Sequence, residues 1–137
     1  MEPMPIHYLV HENILEVVCF GVYSLSEMEE AIAAFTSDPA VSPSMPILIN
    51  LLDSENKDRT TQDIHQIANL FHTHAHQIHP RMAVAAPNTF HFGMARMLSV
   101  FLEKFKITLH VCRDYNEAKA WLGSSKTPTL TDISDTR

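Results

Sequence analysis

Pro46-Ile47-Leu48-Ile49-Asn50-Leu51-Leu52 is an almost unbroken apolar run with polar sequence on either side. A run of this kind, lacking the alternation of a half-solvated strand, is expected of a strand covered on both faces in a parallel sheet. Asp53 ends it, and 54–59 is a charged loop.

Downstream, Thr60-Thr61-Gln62-Asp63 opens a helix with Thr60 as N-cap. Ile64, Ile67, Ala68, Phe71, Ala75 and Ile78 define its buried face until Pro80 stops it. Residues 82–86 form another short apolar strand, and Asn88 or Thr89 caps a helix from about 91 to 105. Residues 107–112 are the last strand; Asp114 and Glu117 form a capping pattern before a final helix, which Gly123 is expected to close. Upstream, Ser24-Leu25-Ser26-Glu27 is a capping box ahead of Leu25, Met28, Ile32 and Phe35 at helical spacing, ending near Asp38-Pro39. Before it, 6–10 and 14–20 are β-branched and aromatic runs joined by His11-Glu12-Asn13, read as a hairpin with a three-residue loop. The order β-β-α-β-α-β-α-β-α predicts an α/β fold: an N-terminal hairpin, then alternating strands and helices on a mostly parallel sheet with right-handed crossovers.

A chain of 137 residues is sized for one domain. Residues 1–123 are assigned to it, and the Ser/Thr-rich stretch 124–137 is expected to be a disordered tail. With 45% hydrophobic and 19% charged residues, the chain has the balance of an ordinary globule that folds without disulfide or metal staples. A net charge of −6 disfavours nucleic acid as a partner. Cys19 and Cys112 lie far apart in apolar runs and read as reduced core thiols. There is no basic leader, and no apolar stretch is long enough to span a membrane, so a cytoplasmic protein is expected.

Several strings resemble the SpoIIAA-like group of small bacterial proteins in the superfamily of STAS domains and anti-sigma factor antagonists. They are 21–31 (GVYSLSEMEEA), 47–53 (ILINLLD), 81–86 (RMAVAA), 92–97 (FGMARM) and 113–122 (RDYNEAKAWL), within a similarity covering roughly 6–123. The resemblance implies a strand–helix superhelix whose relatives dock to proteins, switch by phosphorylation or, in the neighbouring CRAL-TRIO group, hold lipid. Antagonist-type members carry a phosphorylatable Ser in an Asp-Ser-Ser-Gly-like segment at the start of the helix after the third strand. Here that stretch is 53–61 (DSENKDRTT), without the motif; only Thr60 and Thr61 stand near the helix start as phospho-acceptor candidates, and helix capping explains them without phosphorylation.

Ligands of open parallel sheets gather beyond the carboxyl ends of the strands, an edge expected to present Tyr23, Asp53, Ser54, Asn88, Thr89, His91 and Arg113. Asp53 reads as an acid or base, or as a solvated turn residue. His91 reads as an anion contact at a helix start, or as an exposed helix-start histidine. No phosphate loop, dinucleotide fingerprint or nucleophile elbow is present, so neither catalysis nor a cofactor is expected. The nine histidines are the compositional oddity. Extending the second helix to Ile78 at about 100° per residue puts His65, His72, His76 and His79 on one flank of its apolar face. His72, His76 and His79 are the metal candidates, and the flank otherwise reads as a pH-responsive stripe. Phe90, Phe92, Met97 and Val100 fall partly outside the third helix's core face, marking a surface for a protein partner or a second copy. The leading expectation is a non-enzymatic STAS-like regulatory or protein-interaction module, possible as a homodimer. The alternative is a carrier of a small apolar or lipid-like ligand between the third helix and the sheet.

Overall fold

In the computed structural model, residues 5–57 and 59–124 are described; the expected tail lies, from 125 onward, outside the described residues. Strands β1 (Ile6–His11) and β2 (Ile14–Gly21) form the antiparallel hairpin, and β3 (Ile47–Ser54), β4 (Arg81–Ala85) and β5 (Thr108–Cys112) add in parallel. The sheet order is β1-β2-β3-β4-β5, the order of the chain. Right-handed crossovers that always step the same way along a sheet must lay their helices on the same face. Accordingly α1 (Leu25–Ser37), α2 (Thr61–Thr73) and α3 (Thr89–Glu103) share one face. Ile32 and Phe35, Ile67 and Phe71, and Leu98 and Leu102 pack there against Leu15, Val17, Ile47, Met82 and Val84. The last helix, α4 (Tyr115–Ser124), packs on the opposite face, where Ala118 and Leu122 meet Leu48, Ala83 and Ala85.

The apolar run at 46–52 is therefore covered on both faces only over its first part. Ile47 and Leu48 are fully buried, one toward each layer, whereas Leu52 is 44% exposed because α4 covers β3 to β5 and stops short of that corner. Caps set the helix starts. Ser24 with Glu27 and Thr60 with Asp63 form reciprocal capping boxes, the Asn88 carbonyl oxygen Oδ1 accepts from the N–H groups of Phe90 and His91, and Asp114 accepts from Glu117 N–H.

Three expectations are corrected. The hairpin loop has two residues: His11 pairs with Ile14, and Glu12 and Asn13 both take positive φ (52° and 63°), the requirement of a type I′ turn. The second helix stops at Thr73, seven residues before Pro80. Thr73 Oγ1 bonds back to the Asn69 carbonyl, and bonds of the i→i+3 type from His74 and Gln77 tighten the chain into a 3₁₀ turn at Ala75–Gln77. Finally, α4 runs through Gly123 to Ser124 rather than ending before it.

α4 is held by polar contacts as well as by its apolar side. Glu16, only 5% exposed, accepts hydrogen bonds from Tyr115 OH (2.8 Å), Asn50 Nδ2 (2.9 Å) and His11 Nε2 (2.6 Å). Burial pushes its carboxyl up, but the three donors together outweigh that and hold it below the usual carboxylate range. The Arg81 guanidinium lies 3.6 Å over the Trp121 ring, and His110 stacks on the same indole at 4.5 Å.

Candidate functional site

β2 ends at Gly21 with φ +64°, a conformation that only glycine adopts without cost. Its carbonyl accepts from Glu55 N–H at 2.7 Å, so the turn into α1 is tied to the loop after β3. Tyr23 follows one residue before the α1 cap and is buried. The loop after β3 brings in Asn56, 5% exposed, whose Oδ1 accepts from Tyr23 N–H at 3.3 Å. From the far side the Asn88 cap orients the first turn of α3, where His91, 7% exposed, donates from Nε2 to the Asn56 main-chain carbonyl at 2.6 Å. Arg59 donates to the Tyr23 carbonyl, with its guanidinium 5.2 Å from the Tyr23 ring centroid.

Beneath these residues an apolar cavity of about 110 Å³ runs between the sheet and α1–α3, walled by residues such as Val17, Ile32, Phe35, Ile67, Phe71 and Leu98. Tyr23, Asn56, Arg59 and His91 are its polar lining. Asn56 and His91 also line a polar cleft on the outside, with Ser54, Glu55, Lys57 and Asn88, so the pair stands at the boundary between cavity and cleft. Both carry a buried polar atom with no partner among the described residues, Asn56 Nδ2 and His91 Nδ1. Such atoms cost about 1–3 kcal/mol each when left unmet, and they are rare in native interiors.

Burial pushes the Cys19 thiol up to about 12, which removes it as a nucleophile near neutral pH. Burial, then the neighbouring Cys19, raises the Tyr23 phenol further, so it stays a neutral hydroxyl.

Of the residues expected at the strand ends, Tyr23 and His91 line the cavity, and Ser54, Asn88 and His91 line the cleft. His91 is buried rather than exposed, because its ring turns inward to the Asn56 carbonyl. Asp53 stands exposed opposite Phe20 and lines neither space. Arg113 and Thr89 form a separate group: the guanidinium reaches Pro87 O and Thr89 Oγ1 at 3.4 Å and lies 4.2 Å over the Phe92 ring. Thr60 is occupied in its capping box, and Thr61 is the exposed first residue of α2. Sequence reading missed Asn56 and Arg59; the strand-end rule pointed to their loop, but nothing in its composition singled them out.

The histidine flank does not form as one row. His65 stacks on Phe101 of α3 (3.8 Å, 10° between planes) and His72 on Phe105 in the turn after it (4.0 Å, 17°), so both rings are engaged by neighbouring chain. His76 lies exposed in the 3₁₀ turn, and His79 Nδ1 accepts from Arg81 N–H, because the helical register on which the flank rested ends at Thr73. Among the described residues no three His, Cys, Asp or Glu side chains converge to hold a metal. The third-helix patch is likewise broken up. Phe90 (37% exposed) lines the cavity, Phe92 lies under Arg113, Met97 packs against the core, and Val100 (59%) alone is widely exposed. Leu9 (46%) and Phe20 (54%), together with Leu52, stand exposed instead on the sheet face that α4 leaves open.

No protein-family model matches the chain, and no curated protein matches it in sequence. Among solved structures it is similar to an uncharacterised protein of the DUF3478 family with a SpoIIAA-like fold from Shewanella loihica PV-4. The two are 15% identical, with a TM-score of 0.59 over 85% of this chain and 91% of that one. Among the described residues no helix is long and apolar enough to cross a membrane. The in-order sheet, its antiparallel first hairpin and its one-sided layer of crossover helices are thus those of the SpoIIAA-like fold.

Proposed function

We propose that this protein is a non-catalytic binding module that takes a small apolar ligand into the cavity between the sheet and α1–α3. The observation that carries this reading is an apolar space of about 110 Å³ bounded by two buried, unpaired polar atoms. Volume narrows the ligand class: an engineered apolar cavity of about 150 Å³ holds benzene, so this one suits a single ring or short chain of about six heavy atoms. A long acyl tail is too large, which makes a small ligand rather than a lipid the favoured cargo. The test is thermal unfolding with saturating toluene. Wild type should show a raised Tm, and Ala95→Leu, which fills the space from α3, should lose the increment. An unchanged wild-type Tm, with no perturbation of cavity methyl resonances, removes the reading.

A second reading, regulation through contact with a protein partner or a second copy, is favoured by Leu9, Phe20 and Leu52 on the open sheet face. Light scattering on wild type and Phe20→Glu tests it for self-association: a dimer that the substitution dissolves supports it, and a strict wild-type monomer counts against it.

A further inference from the structure

We infer that the ligand carries a neutral hydroxyl group seated between Asn56 and His91, with its apolar body in the cavity. This rests on the proposed binding function and specifies what is bound. Hydrogen-bond chemistry gives each unpaired atom a role. The Tyr23 N–H needs an acceptor, so the Asn56 oxygen faces it and the amide nitrogen Nδ2 is the atom left over. The Asn56 main-chain carbonyl can only accept, so His91 Nε2 carries a proton, and in the neutral imidazole, the form this proposal takes, Nδ1 is the lone-pair nitrogen. One orphan is thus a donor and the other an acceptor, on residues joined by a 2.6 Å hydrogen bond at the boundary of one cavity.

A hydroxyl meets both with a single atom: its oxygen accepts from Asn56 Nδ2 while its proton goes to His91 Nδ1. Other head groups leave one orphan unmet. An ether only accepts, an ammonium only donates, a hydrocarbon does neither, and a carboxylate sets acceptors against the His91 lone pair. Of the two cations at this boundary, Arg59 is already engaged with the Tyr23 carbonyl, and Lys57 is exposed on the outer cleft. Since the cavity takes about one ring, phenols and short alcohols are the class that fits both its volume and its boundary.

The experiment is calorimetric titration of the full chain with phenol, anisole, toluene and benzoate, alongside the ¹⁵N resonance of His91 Nδ1. Phenol should bind about tenfold or more tightly than toluene or anisole, since it alone satisfies both buried groups. The Nδ1 resonance should move to lower frequency with phenol and stay in place with toluene. Asn56→Asp keeps the acceptor for Tyr23 N–H and replaces the donor with a second acceptor; it should cancel the preference for phenol over toluene, and a preference that survives it overturns the assignment. Equal affinities for phenol and toluene overturn the hydroxyl assignment and leave the cavity reading intact. Tighter binding of benzoate overturns it in favour of an anion site. Failure of all four to bind overturns both readings.

Discussion

His91 donates from Nε2 to the main-chain carbonyl of Asn56 at 2.6 Å, joining the first turn of α3 to the loop that leaves β3, 35 residues earlier in the chain. This contact brings two strand-end segments into one boundary over the cavity. It also leaves each residue's remaining polar atom without a protein partner.

Truncating Asn56 tests how much the boundary contributes to the fold. Asn56→Ala deprives the buried Tyr23 N–H of its acceptor but also removes the orphan Nδ2, and these act in opposite directions. The net cost should be about 1 kcal/mol, read as a lower urea midpoint at unchanged slope. An unchanged midpoint would show that Tyr23 N–H does not depend on Asn56.

Glu16 should make stability depend on acid. Its folded carboxyl lies below the usual value while the unfolded chain titrates near 4.3, so its contribution is complete above about pH 4.3. It is lost as pH falls through the lower folded value, when the unfolded state binds the proton first. Glu16→Gln should cost about 1–3 kcal/mol at pH 7 and flatten this part of the profile. Denaturation at pH 6 and pH 3.5 separates the two, and parallel pH profiles would exclude Glu16 as the source.

His79 and His110 predict an earlier acid-sensitive step. Burial is the main cause that lowers both, aided by Arg81 in each case, with Glu117 opposing it at His110. Stability from these groups is full above about pH 6.5 and declines as pH falls through their lower folded values, because the unfolded chain protonates first. A profile flat from pH 7 to 5, or unaltered in a His79→Asn/His110→Asn double variant, would contradict this.

The stacked pairs His65–Phe101 and His72–Phe105 should contribute to stability and not to metal binding. A double-mutant cycle on His65 and Phe101 should give a coupling of about 0.5–1.5 kcal/mol. Zinc titration of wild type and His72→Ala/His76→Ala should give the same heats. A saturable site lost in the variant would reinstate the flank as a ligand set.

Lys106 is the clearest site for a gain. It holds φ 65° just past α3, where its N–H bonds to Glu103 O and Ile107 N–H bonds to Leu102 O, the closing pair of a Schellman motif. Glycine takes this conformation freely, so Lys106→Gly should stabilise by about 1 kcal/mol and raise Tm by several degrees. A lower Tm would mean that the lysine side chain makes a contact that outweighs its backbone strain.

Local pattern determined most of the fold. The apolar run at 46–52, the capping residues Ser24, Thr60 and Asp114, and the alternation of strand and helix are legible because their signals span a few residues and act through backbone hydrogen bonds and burial on one face. The end of α2 was not legible, since apolar spacing continued to Ile78 while Thr73 and the i→i+3 bonds after it redirected the backbone. The boundary of the cavity was beyond sequence altogether. Asn56 and His91 are ordinary polar residues until sheet order places the β3 and β4 ends side by side and buries both, and only then is a polar atom on each left without a partner among the described residues. Histidines that sequence spacing made into one stripe were divided in the same way: two of them met phenylalanines, one in α3 and one in the turn after it, because which surfaces face each other is a property of packed elements rather than of either helix alone.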